Sequence, residues 1–332
     1  MGATVGLVVN PAAGRDIRRL TGGASVSDDY EKRRTAECVL SGLTLADDIE
    51  VLVMPDRGSL GQRLVEHAPD DLEVSLLEMT VGGDGQDSRR AAEIFAAEAD
   101  TIVVLGGDGT NRDVAHTSGD VPLVSVSTGT NNVFPNAVDG TVAGGAAGLV
   151  ATGAVPRSET TYRHGMVEAV ADTANGERQI RGLATLGLLD HKFIGTRAIL
   201  DAEKIVGGVV SRAFPTEIGL SGIAGGLAVH PPDRSGGIGY RLGAAADCPE
   251  QVDAITVPGV VERLGVREWE QLDDDQPMTF ELPRGVVSVD GERELEVREA
   301  VVDVRPVADG PWVVDIDAVY EHAARDGYFR RH

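Results

Sequence analysis

The run Thr101-Ile102-Val103-Val104-Leu105-Gly106-Gly107-Asp108-Gly109-Thr110-Asn111 carries the strongest local signal in the 332 residues. Its first five residues are apolar or β-branched with no charge among them, the pattern of a strand buried on both faces. A glycine-rich loop follows, and a helical pattern runs over 109–116. Strand, glycine loop and helix in this order suit phosphate, because the helix N-terminus offers unpaired N–H groups and a partial positive charge. Gly106, Gly107 and Gly109 let a phosphate chain approach the backbone without Cβ clashes and allow unusual dihedral angles. Asp108, an anion in such a place, fits a partner for Mg²⁺ or a base for an incoming hydroxyl. Thr110 either caps the helix or donates to phosphate, and Asn111 completes the loop. The plain alternative is an ordinary βα turn in which Asp108 caps a helix.

Working outward, apolar runs at 4–9, 50–54, 73–78, 101–105 and 122–126 alternate with helical patterns at 30–43, 59–66, 88–99 and 109–116. This alternation predicts a parallel, Rossmann-like α/β sheet. A small-residue stretch at 142–152 reads as a tightly packed helix. Two more loops follow strands: Asn10-Pro11-Ala12-Ala13-Gly14-Arg15, and Ser127-Thr128-Gly129-Thr130-Asn131-Asn132-Val133-Phe134-Pro135. Loops at the carboxyl ends of such strands converge on one crevice. Asn10, Gly14, Thr128, Gly129, Thr130, Asn131 and Asn132 thus join Gly106 to Asn111 as candidate nucleotide contacts. Arg15, Arg89 and Arg112 are the nearest basic candidates. Gly82-Gly83-Asp84-Gly85 nearly repeats the central loop, but Gln86 stands where Thr110 stands in the other copy. Asp87 and Ser88 are good helix-entry residues, so this copy reads as a helix start.

After about residue 156 the pattern becomes β-rich. Asn175-Gly176 marks a hairpin, because both central turn positions favour positive φ. Alternation recurs at 278–282, 286–289, 294–297 and 300–304, and a helix is expected over 197–213. The apolar run 312–314 precedes a last helix at 317–325. Two domains are expected, an α/β domain over 1–155 and a β-rich, β-sandwich domain over 156–311, with 312–332 packing back on the first.

The charge balance narrows the function. There are 53 acidic and 30 basic residues, a formal net charge of −23, and only Lys32, Lys192 and Lys204 are lysines. Such self-repulsion is costly in dilute salt and largely screened at ~1 M, where the Debye length is about 3 Å. The composition therefore suits a protein working in molar salt; an acidic face for a basic partner is the alternative. Nucleic-acid binding through a basic groove does not fit. With no run of about 18 apolar residues and no basic leader, a soluble, cytoplasmic protein without membrane contact is expected. Cys38 and Cys248 stand apart and match no metal-site spacing. The chain lacks a G-x-x-x-x-G-K-[ST] loop, a protein-kinase motif set and a G-x-S-x-G elbow.

Leu105-Gly106-Gly107-Asp108-Gly109-Thr110 resembles the motif shared by NAD kinases, diacylglycerol kinases and sphingoid kinases. Asn10-Pro11 with Gly14, and Gly129-Thr130 with Asn132 and Phe134, are similar to its companion motifs. Asp290-Gly291-Glu292 resembles the D-G-E of the lipid-kinase branch, whose carboxylates are implicated in catalysis; a two-residue hairpin turn is the equal alternative. Thr216-Glu217-Ile218-Gly219, leading to Gly225-Gly226 and His230-Pro231, resembles a shortened NAD-kinase stretch. The Asn-Glu pair of NAD kinases is absent. The 127–135 loop and Gly195-Thr196-Arg197-Ala198 look most like acetoin-catabolism X proteins. The resemblance implies an NAD-kinase-like fold with ATP in the crevice between an N-terminal nucleotide-binding domain and a β-rich acceptor domain. It implies an ATP- and Mg²⁺-dependent small-molecule kinase, with Asp108 at the metal or the hydroxyl and Asp290 and Glu292 as further catalytic carboxylates. NAD is the first candidate acceptor, and a small polyol or ketol-derived metabolite is its rival. A nucleotide-binding sensor without turnover is the alternative class. Superfamily members are commonly homo-oligomers.

Overall fold

The computed structural model describes residues 2–10, 29–83, 85–129, 132–173, 176–190 and 204–330. The chain divides into two compact units. One comprises the N-terminal strand, Val26–Tyr162 and Pro311–His332; the other is built on Arg163–Gly310.

In the first unit the strands are β1 (Ala3–Val9), β2 (Ile49–Val53), β3 (Glu73–Leu76), β4 (Thr101–Gly106), β5 (Leu123–Ser127) and β6 (Thr161–Arg163), joined by β16 (Trp312–Val314) from the chain's end. They form a sheet in the order β3-β2-β1-β4-β5-β16-β6, parallel from β3 to β16. Helices α1 (Asp29–Leu43), α2 (Leu60–Glu66), α3 (Gln86–Glu98), α4 (Asp108–Ala115), α5 (Gly140–Ala151), α6 (Arg157–Thr160) and, after β16, α8 (Ile316–Arg325) connect and cover them. All six residues of β4 are buried, as the uninterrupted apolar run requires. The small-residue helix α5 lies backbone-close to α1. A Cβ on Gly144 would stand 2.1 Å from the Val39 carbonyl oxygen, and one on Gly42 would stand 2.0 Å from that of Thr141. Asp139 caps α5 by accepting from Thr141 N at 2.8 Å, and Asp315 caps α8 by accepting from Ala318 N at 3.0 Å.

The second unit holds β7 (Met166–Thr173), β8 (Gly176–Gly182), β9 (Thr185–Leu189), β10 (Ile205–Val210), α7 (Leu220–Leu227), β11 (Gly237–Gly243), β12 (Glu250–Val257), β13 (Val260–Leu272), β14 (Met278–Val289) and β15 (Glu292–Val307). The expected β-rich domain is thus one continuous nine-stranded ladder, β12-β13-β11-β10-β9-β14-β15-β7-β8. Continuity comes from β15, which pairs with β14 and, through Val301–Val307, with β7. The alternating segments at 278–289 and 294–304 are therefore two long strands where the pattern suggested four short ones. The hairpin joins β7 to β8, but Gly176, expected at a central turn position, is the first residue of β8, paired with Thr173 at φ 96°; residues 174 and 175 lie outside the described set.

The helix expected over 197–213 is corrected: its described part contains β10, paired with β9 and β11. Ile205, Val206, Val209 and Val210 are β-branched, and Gly207-Gly208 disfavours a helix by ~1 kcal/mol per glycine. The glycines are needed for close strand approach, since Cβ atoms there would fall 2.3 Å from Tyr240 O and 2.5 Å from Leu186 O.

Beneath the ladder, Glu168 on β7 is fully buried and bonded to Arg181, Arg305 and Gln179. Burial pushes its carboxyl up, but these donors together hold it below the usual range. Among the described residues no helix is long and apolar enough to cross a membrane.

Candidate functional site

The order β3-β2-β1-β4-β5 reverses direction between β1 and β4: the chain leaves β1 toward β2, and leaves β4 toward β5 on the other side. In open α/β sheets ligands bind at the carboxyl ends of strands beside such a reversal. Asn10 follows β1, Gly107 follows β4 and Thr128 follows β5. Parallel pairing therefore puts the starts of all three glycine-bearing loops at one edge of the sheet.

Hydrogen bonds tie them together. Asn10 Nδ2 donates to Thr110 Oγ1 at 3.3 Å, linking the first loop to the second. Thr128 N donates to Gly106 O at 3.5 Å, linking the third to the second. The Asp108 carboxylate makes the tightest link. Oδ1 accepts from Val133 N at 3.1 Å and Phe134 N at 2.9 Å, while Oδ2 accepts from Val133 N at 3.0 Å. Gly106 is needed for room and not for a left-handed backbone: a Cβ would stand 2.6 Å from Thr110 Cβ. Gly107 has φ −91°, and Gly109 lies in the first turn of α4.

Helix α4 begins at Asp108, and its N-cap Gly107 brings no side chain. The Asp108 carboxylate turns to the third loop, so the α4 N-terminus lacks the aspartate cap that α5 and α8 carry. Asn111 is fully buried and donates through Nδ2 to Gly107 O at 2.9 Å, so it supports the loop from beneath. Arg112 is also buried, and Arg89 pairs with Asp113 at 3.1 Å. In the third loop Ser127 Oγ donates to Gly129 O at 2.8 Å and accepts from Asn132 Nδ2 at 2.7 Å. Gly14, Arg15, Thr130, Asn131 and 195–198 lie outside the described residues.

Two residues of this site escaped the motif reading. Ser127 organises the third loop, and its position just before Thr128-Gly129 was the available signal. Lys32 on α1 is fully buried with Nζ 3.4 Å from Asn10 O; a lone lysine on a helix gave no hint of that placement.

The near-copy at 82–85 is a helix entry. Gly82 N and Gly83 N donate to the Asp87 carboxylate at 2.8 and 2.7 Å, and Asp87 also bonds Arg90. Its anion-accepting amides are filled by the chain's own carboxylate.

In the second unit Asp290 and Gly291 turn β14 into β15, with φ 46° and 81°. Both central residues at positive φ make this the tight hairpin turn. Asp290 also reaches outward: Oδ2 accepts from Leu183 N at 2.8 Å, and Oδ1 accepts from Ala184 N at 2.9 Å and Thr185 N at 3.0 Å. Glu292, half-buried, opens β15 opposite Val289. Near the start of α7, Arg212 holds Glu217 at 2.7 Å, and burial raises the Glu217 carboxyl. No group of three or more His, Cys, Asp or Glu able to hold a metal occurs among the described residues.

A parallel α/β sheet followed by a large antiparallel ladder defines an NAD-kinase-like fold. Residues 5–153 match the ATP-NAD kinase N-terminal domain, and residues 167–309 match the Acetoin catabolism protein X C-terminal domain. The Acetoin catabolism protein X of Cupriavidus necator is 33% identical over 98% of this chain and 94% of its own length. Yeast NADH kinase, solved in complex with NADH, superposes with a TM-score of 0.52 at 13% identity, covering 99% of this chain and 89% of its own; at that identity it shows the fold alone. The chain belongs to the acetoin catabolism protein X family.

Proposed function

We propose that this protein is an ATP-dependent small-molecule kinase, moving a phosphoryl group from ATP to an acceptor hydroxyl. The observation that carries the reading is the join of three loops at the β1/β4 reversal around an α4 N-terminus without a side-chain cap. Oriented N–H groups in such a place suit the phosphates of a nucleotide. The residues assigned to them are Asn10, Gly14, Gly106, Gly107, Gly109 and Thr110, with Thr128, Gly129, Thr130, Asn131 and Asn132; Asn111 holds the loop from beneath. The donor set also fits Mg²⁺, which in phosphoryl transfer keeps several waters and needs only one or two carboxylates beside the phosphates. Asp108 is the carboxylate of this site, and Mg²⁺ would supply charge neutralisation there. Asp290 and Glu292 are the carboxylates that the β-rich unit offers for acceptor chemistry.

NAD is the first acceptor to test, supported by the match of residues 5–153 to the ATP-NAD kinase domain. A second reading, a small polyol or ketol-derived acceptor, is favoured by the missing Asn-Glu pair and by the acetoin-catabolism relative. The test is ³¹P detection of transfer from ATP with Mg²⁺ in molar salt, across NAD, NADH and a panel of polyols and ketols. A phosphorylated product supports the kinase and names the acceptor class. ATP binding without transfer to any of them would move the protein to the nucleotide-sensor class. Size measurement in the same buffer tests the proposed homo-oligomer.

A further inference from the structure

Lys32 is the charged residue at this site that no motif assigns. It is the fourth residue of α1, fully buried, and its Nζ donates to Asn10 O at 3.4 Å, at the end of β1. The same asparagine donates through Nδ2 to Thr110 Oγ1, so its carbonyl serves the lysine and its amide serves the first turn of α4. A single residue therefore links the Lys32 ammonium to the helix end assigned to phosphate, and all three residues lie in one compact unit. Folding alone does not favour a lysine here. Burial disfavours a charged side chain, and the positive end of a helix dipole disfavours a cation. Composition runs the same way: only three of the 30 basic residues are lysines, so a basic side chain in this protein is normally an arginine.

A buried ammonium has one advantage over an exposed guanidinium. In molar salt the Debye length is about 3 Å, so an exposed charge loses most of its reach, whereas a buried one is screened much less. The glycine loop itself brings only the partial charges of its amides, and Arg89 is engaged by Asp113. We infer that Lys32 is an electrostatic positioning residue behind the phosphate site: seated on the Asn10 carbonyl, it supplies a full positive charge that attracts a nucleotide's phosphate chain and that salt does not screen away. The inference rests on the kinase reading for its ligand, and it is independent of the part Asp108 plays in the chemistry.

The experiment has two arms. Calorimetry compares wild type with Lys32→Met, which keeps an unbranched side chain and drops the charge, using AMP and ATP in ~0.2 M and ~2 M KCl. The Met variant should bind ATP about 10- to 100-fold more weakly, the Coulomb effect of one buried charge on a neighbouring anion. The deficit should be smaller for AMP, which carries less charge, and should persist at the higher salt. The second arm uses the scarcity of lysine. Wild-type protein labelled at its lysine side chains gives three ε-CH₂ signals, assigned with Lys192→Arg and Lys204→Arg. On titration with ATP the Lys32 signal should move in step with the backbone amides of Gly106, Gly107 and Gly109. ATP affinity within threefold of wild type in Lys32→Met would overturn the inference. So would the same loss for AMP as for ATP, the mark of a lysine that serves only the fold. If Lys32→Met does not fold, the wild-type lysine signal decides: a signal that stays still while the loop amides respond overturns the inference and spares the kinase reading. Loop amides that do not respond to ATP would overturn both.

Discussion

Replacing Asp290 separates the two roles that the Asp-Gly turn could play. Three N–H bonds converge on its carboxylate, from Leu183, Ala184 and Thr185, and its backbone sits at φ 46°. A bond to a charged acceptor is worth roughly 1.5–3 kcal/mol when well shielded. Asp290 is only partly buried, so water replaces part of each bond, and about 1 kcal/mol apiece is a fair allowance. An Ala at that backbone adds about 1 kcal/mol of left-handed strain, which Gly escapes and Asn tolerates. Asp290→Ala should therefore cost about 4 kcal/mol and Asp290→Gly about 3 kcal/mol. Asp290→Asn retains the two Oδ1 bonds but sets its NH₂ against Leu183 N–H, for about 2 kcal/mol. One kcal/mol moves the melting point of a 150–250-residue unit by roughly 2–4 °C. Differential scanning calorimetry should show Ala lowest by about 8–16 °C, then Gly, then Asn. An Asp290→Ala protein melting within 2 °C of wild type would refute this account of the turn, and lost activity in such a protein would return Asp290 to a purely chemical role.

Two other perturbations follow from charge and burial. His164 has no exposed surface, its Nδ1–H donates to Gly165 O at 2.5 Å, and burial brings its pKa down to about 3. Because the unfolded chain takes up a proton near pH 6.5, the stability from His164 is complete above that pH and is lost as pH falls toward 3. The loss is about 1.4 kcal/mol per pH unit, or about 2.7 kcal/mol by pH 4.5. His164→Gln should flatten the urea-unfolding stability between pH 6.5 and 4.5; an unchanged slope would place the acid sensitivity elsewhere. The net charge of −23 predicts a melting temperature that rises strongly from low salt to ~2 M KCl, and a melting point that stays put would remove the high-salt reading.

Local signals carried the α/β half well. The uninterrupted run at 101–105 and the alternation of strands with helices specify buried parallel strands, and the sheet contains them within a residue or two at each end. The Gly-Ala stretch before Thr152 is a helix whose small residues face α1, as its composition suggested. Less was legible in the β-rich half. Gly207 and Gly208 sit in a strand because two neighbouring backbones approach them, and that information lies in Leu186 and Tyr240, not in the local window. The same holds at the site. The spacing of Gly106, Gly107 and Gly109 indicated a phosphate loop, but the partners of Asp108 are in another loop and those of Asp290 are over a hundred residues upstream. Motif reading finds residue types suited to a chemistry; long-range hydrogen bonds decide which way a carboxylate turns. Lys32 makes the same point, since only the packing of α1 against the end of β1 brings it to Asn10.

The most direct test of the phosphate site is a titration of isotope-labelled protein with Mg-ATP in molar salt, read at backbone amides. The account predicts saturable binding with the largest shifts at Gly106, Gly107, Asp108, Gly109, Thr110 and Gly129, and little change at 82–85. Absence of saturable binding, or shifts centred on 82–85 instead, would contradict it.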